Sequence, residues 1–112
     1  MPARPLVVLV TCPTRRHART LADALVRKRL AACVNLLPHP VESVYRWQGK
    51  IERAKEVLLL IKTHASQFER LRAEIRILHP YDVPEIIALP ITAGHQPYLD
   101  WIASSLRPLL TR

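Results

Sequence analysis

The chain has 112 residues, 49% of them hydrophobic, and a net charge of +8 from 17 lysines and arginines against 9 acids. That is the size of a single domain, 1–112, able to bury one core, and the composition excludes a disordered or collagen-like chain. Two cysteines in a chain of this length exclude a disulfide scaffold and point to free thiols in a reducing compartment, the cytoplasm.

Leu6 to Thr11 reads as a strand apolar on both sides and therefore central. Leu6 to Val10 is too short for the apolar core of a signal peptide, and no stretch reaches membrane-spanning length. Thr14 caps a helix running to about Arg29, with Ala18, Leu21, Ala22 and Leu25 on one face. Arg15, Arg16 and Arg19 at its start oppose the helix dipole; they read as exposed surface charge rather than an anion site with the free N–H groups, since no Gly-rich loop precedes the helix. Ala31 to Leu36 resumes strand character until Pro38-His39-Pro40 interrupts it.

Val41 to Thr63 then reads as a long two-strand ribbon turning at Gln48-Gly49. Its second arm carries Val57 to Ile61, apolar on both faces. Ser66 and Glu69 form a capping box for a second helix with Phe68, Leu71, Ile75 and Leu78 buried, and His79-Pro80 stops it. Val83 to Ile91 is an edge strand, given Pro84 and Pro90. Pro97 opens a last helix whose stripe is Tyr98, Trp101, Ile102 and Leu106.

The order is β-α-β-β-α-β plus a C-terminal helix, an α+β ferredoxin-like sandwich with the first and third strands in the middle. Helices cover one sheet face. The apolar second face of Val57 to Ile61 is best covered by another copy of the same sheet, so the chain is expected to be a homo-oligomer.

Several segments resemble the CutA family of divalent-cation tolerance proteins: Ala32-Cys33-Val34-Asn35, Ser43 to Ile51, Glu56 with Leu58 to Thr63, His79-Pro80-Tyr81, Val83 to Ile86, Leu89 to Ile91, and Gly94 with Tyr98, Leu99 and Trp101. The resemblance runs from Leu6 to about Leu106. It implies a cytoplasmic homotrimer built like the PII-type signalling proteins, with ribbons packed between subunits, a link to copper or another divalent cation, and no settled reaction. The first loop departs from the family, carrying Thr14-Arg15-Arg16-His17 where acidic residues are usual; His95-Gln96 after Gly94 is a second departure.

Candidate site residues fall into two groups. No C-x-x-C or H-x-x-x-H motif is present, so metal ligands must meet in space. The topology puts Cys12 and His79 at one end of the subunit, a thiolate and an imidazole suited to copper or zinc, and Cys33 at the other end as a small core residue. The competing account makes Cys12 core and His79 a helix terminus. The second group is a cleft between subunits. Glu56 and Lys62 share a face, joined by Tyr45 and Trp47 if the ribbon turn has two residues, with His79 and Tyr81 nearby. These could hold a small anion or nucleotide-like ligand, or simply form an interface salt bridge and aromatic packing. No nucleophile elbow or P-loop is present, and the chain is read as a non-enzyme. The scattered basic residues lack the aromatic interleaving of a nucleic-acid surface, so no nucleic-acid partner is expected; a polyanion-binding module is the third alternative.

Overall fold

The computed structural model describes residues 4–108. The strands are β1 (Pro5–Cys12), β2 (Cys33–Leu36), β3 (Val41–Trp47), β4 (Lys50–His64) and β5 (Ile87–Pro90); the helices are α1 (Arg15–Arg27), α2 (Phe68–Leu78) and α3 (Gln96–Ser105). The sheet order is β2-β4-β1-β5, with β3 pairing β4 beyond the end of β2. All pairings are antiparallel. With β2 and β3 counted as one strand broken at Pro38-His39-Pro40, this is the ferredoxin-like order, and β1 and β4 lie in the middle as their apolar runs require.

The β1–β4 register sorts the side chains. Val8 pairs with Ile61, Val10 with Leu59 and Cys12 with Val57; all six are buried beneath the helices. Ala18, Leu21 and Leu25 of α1 and Leu71 and Ile75 of α2 complete that core. Each large apolar side chain contributes about 1.5–3 kcal/mol through burial. The opposite face carries Val7, Leu9, Leu58 and Leu60, all half-buried, and Ile87 and Leu89, each 50% exposed. Among the described residues no helix buries them as α1 and α2 bury the core.

Thr14 caps α1 as its sequence predicts, accepting from the His17 N–H at 3.1 Å. The helix ends two residues before Arg29, because Arg29 turns into the left-handed region with φ 58°. The Leu30 N–H then donates to the Leu25 carbonyl and the Arg29 N–H to that of Val26, a Schellman closure with an arginine where glycine is usual. Arg15 donates to the carbonyls of Leu37 and Pro38 and ties the helix start to the proline bend.

Four expectations need correction. The capping box does not form: Ser66 sits inside a 3₁₀ turn, Ala65–Gln67, and α2 starts after Gln67 without a side-chain cap. The last strand is Ile87–Pro90 rather than Val83–Ile91, since Pro84 has no donor for a ladder. The second strand begins at Cys33, not Ala31. In α3, Ile102 is buried and Leu106 follows it at the helix end, but Tyr98 and Trp101 are exposed and pack on each other at 5.5 Å.

Candidate functional site

The ribbon turn decides what meets what. Trp47 pairs with Lys50, so the turn holds two residues, Gln48 and Gly49, with φ 50° and 80°. Both angles are positive, as a type I′ hairpin turn demands. Tyr45 therefore opposes Glu52, Val41 opposes Glu56, and Tyr45, Trp47 and Glu56 share one face of the ribbon. Val44 and Ile51, exposed on the other side, show that β3 runs clear of the core.

Glu56 is the centre of the cleft. It is only 6% exposed. Its Oε2 accepts a 2.8 Å hydrogen bond from the Tyr81 hydroxyl. Burial and that bond push the Tyr81 phenol well above its ordinary pKa, with smaller contributions from the charges of Glu56, Tyr45 and Cys12. The space between β3 and the Pro80–Glu85 loop is an open cleft of about 670 Å³. Tyr45, Trp47, Glu56 and Tyr81 line it, with Asp82 and Glu85, which the sequence reading did not single out. Asp82 directly follows His79-Pro80-Tyr81, and Glu85 lies within Val83 to Ile86.

His79 stands behind this wall. Its Nε2 lies 2.7 Å from the Thr11 carbonyl, and its Nδ1 accepts from the Tyr81 N–H at 3.2 Å. The tautomer that satisfies both contacts carries its proton on Nε2. Its ring packs on Tyr81 with centroids 4.8 Å apart. Cys12, next in sequence to Thr11, is 1% exposed on the helix side of the sheet. Burial, and secondarily Glu56, pushes its thiol up to about 11. His79 thus reaches the end of β1, where topology puts it. Both its nitrogens are engaged in hydrogen bonds, and the Cys12 thiol is held protonated. Among the described residues no three His, Cys, Asp or Glu side chains gather as a metal group.

Within one chain Lys62 does not join the cleft. It shares the face of Glu56 but lies six residues along β4, roughly 20 Å away. Its ammonium is bonded to Asn35 Oδ1. It faces Cys33 across the ladder. Cys33 is half-buried on the open sheet face instead of in the helix-covered core. The six cleft residues read from sequence therefore divide: Tyr45, Trp47, Glu56 and Tyr81 line the cleft, His79 braces it, and Lys62 lies apart within one chain.

A family model described as CutA1 divalent ion tolerance protein matches residues 6–105. The chain belongs to the CutA1 family. A relative from Thermus thermophilus named Divalent-cation tolerance protein CutA is 53% identical over 96 residues, 86% of this chain and 92% of the relative. A relative from Arabidopsis thaliana, Protein CutA, chloroplastic, is 49% identical over 91% of this chain and 56% of its own length. The CutA1 domain described here thus spans about half the length of that plant relative. The solved structure of the Thermus thermophilus divalent cation tolerance protein superposes with a TM-score of 0.89 at 50% identity, covering 92% of this chain and 99% of that one. Among the described residues of this CutA1 chain, no helix is long and apolar enough to cross a membrane.

Proposed function

We propose that this CutA1 chain serves divalent-metal tolerance as a ligand-responsive homotrimer of PII-like architecture, a binding protein with no reaction of its own. The observation that carries the reading is the second face of the sheet. Val7, Leu9, Leu58, Leu60, Ile87 and Leu89 form an apolar surface that the described helices leave partly exposed. Other copies of the sheet supply the matching cover. The β3–β4 ribbon projects from the same sheet, and a neighbouring copy against it would enclose the Glu56 cleft.

Membership of a divalent ion tolerance family supports a response to metal ions. Copper is the metal we favour, since thiol and imidazole are the soft donors at this end of the fold. Copper at Cys12 and His79 would require the His79 hydrogen bonds to break and the thiol to give up its proton. The two free cysteines fit a cytoplasmic setting. The test is thermal unfolding of the intact protein with Cu(II), Zn(II) or Mg(II), in wild type and His79→Ala. A rise in midpoint with Cu(II) that His79→Ala abolishes supports the reading; no shift with Cu(II) overturns its copper part.

A second reading, a small-ligand sensor at the intersubunit cleft, is favoured by the lining of the cleft itself. There the buried Glu56 carboxylate faces open space beside three aromatic rings.

A further inference from the structure

Glu56 is a carboxylate that the fold buries without a counter-charge. Among the described residues it receives one hydrogen bond, from Tyr81, on Oε2. It takes part in no ion pair: the described pairs are Lys28–Glu74 and Arg72–Glu69. A buried charge normally has an opposite charge beside it, because leaving water is costly. Within one chain, among the described residues, this one has none, although the chain's net charge is +8.

The surroundings deepen the imbalance. The cleft at Glu56 adds Asp82 and Glu85 and contains no lysine, arginine or histidine. Three of its lining residues, Tyr45, Trp47 and Tyr81, are aromatic. Aromatic ring faces carry negative potential and attract cations, most strongly organic ones whose alkyl groups also gain from apolar contact. A bare divalent ion is a poorer match: calcium, for example, takes about six to eight oxygen ligands at close range, and no metal-sized group of donors forms among the described residues.

We propose that this cleft binds a small organic cation, an alkylammonium or quaternary ammonium group. Its charge lies against Glu56 and its alkyl groups lie against Trp47 and Tyr45. The inference rests on the reading of the chain as a ligand-binding protein and names the chemical class of the ligand at that site. It reverses the expectation of an anion or nucleotide-like ligand, which leaned on Lys62. Within the chain, Lys62 is engaged with Asn35 and lies away from the cleft.

The experiment is calorimetric titration of the intact protein with tetramethylammonium chloride at constant ionic strength. tert-Butanol, of similar shape and neutral, is the control. Saturable binding of tetramethylammonium at millimolar concentration, with none of tert-butanol, is the expected result. Glu56→Gln is expected to weaken it by about tenfold or more, the effect of losing a partly buried charge partner. Trp47→Leu, on the exposed ribbon arm, is expected to weaken it roughly fivefold and keeps the test available should Glu56→Gln fail to fold. Equal binding of tert-butanol, or no binding of tetramethylammonium, overturns the proposal. So does binding that appears only after dilution to monomer, which would mean that a neighbouring copy's ammonium already fills the cleft. Sedimentation and the copper response are read on the same preparation. A copper-responsive trimer that ignores tetramethylammonium sinks this inference alone.

Discussion

Tyr81 and Glu56 lie 25 residues apart in the chain and meet through one 2.8 Å hydrogen bond, hydroxyl to carboxylate. The bond joins the loop after α2 to the base of the ribbon. It also orders the cleft wall, because the Tyr81 N–H is at the same time held by His79. Tyr81→Phe removes the only described donor to a buried carboxylate. It is expected to lower stability by about 1–3 kcal/mol, read as a shift in urea midpoint at unchanged slope. Glu56→Gln keeps an acceptor for Tyr81 and is expected to cost less. An unchanged midpoint for Tyr81→Phe would show that water replaces the hydroxyl at no cost.

The two thiols should separate cleanly by reactivity. Cys12 is buried and its thiol pushed up to about 11, whereas Cys33 is half-buried at the open sheet face. With a disulfide reagent at neutral pH, Cys33 is expected to react in the dissociated chain and Cys12 only on unfolding. Mass spectrometry of the modified protein checks this. Modification of Cys12 first would contradict the burial described here.

His64 gives the stability a definite pH slope. Burial lowers its pKa below 6.5. Between the lowered folded value and the ordinary value, the unfolded chain holds more protons than the folded one, so stability rises with pH across that window. Acidification below 6.5 is therefore expected to destabilise wild type more than His64→Gln. Urea midpoints of the two proteins from neutral pH downward check the sign. Parallel curves would remove His64 as a contributor.

Two backbone positions lend themselves to substitution. Arg29 holds φ 58° in the Schellman closure of α1, a conformation that costs a non-glycine residue about 1 kcal/mol. Arg29→Gly is expected to recover part of that and raise the unfolding midpoint. Gly49 holds φ 80° with nothing within 4 Å of an added Cβ, so Gly49→Ala is expected to cost about 1 kcal/mol through backbone strain alone. A stabilising Gly49→Ala would contradict the turn type.

The sequence carried the element order because its apolar periods are strong. Leu6 to Thr11 and Val57 to Ile61 allow no position but the centre of the sheet. The parity of Tyr45, Trp47 and Glu56 was also legible, on the condition of a two-residue turn, which Gln48-Gly49 meets. Distance along a strand was within reach of the six-residue spacing, but parity was given the greater weight. Glu56 and Lys62 share a face, yet sharing a face does not bring side chains together. The closure at Arg29 was hidden because glycine usually marks it. The capping box failed because Ser66 entered a 3₁₀ turn, where its hydroxyl no longer stands at the head of α2. Asp82 and Glu85 had no periodicity to mark them, since they lie in a loop that only the fold sets opposite the ribbon.

The central claim is that the open sheet face, Val7, Leu9, Leu58, Leu60, Ile87 and Leu89, is covered by other copies of this chain. Sedimentation equilibrium at micromolar concentration tests it most directly, with Leu58→Glu alongside wild type. Wild type is expected to sediment as a single species at three times the 12.8 kDa chain mass, and Leu58→Glu to shift toward the chain mass. A wild-type protein that sediments as a 12.8 kDa monomer would contradict it.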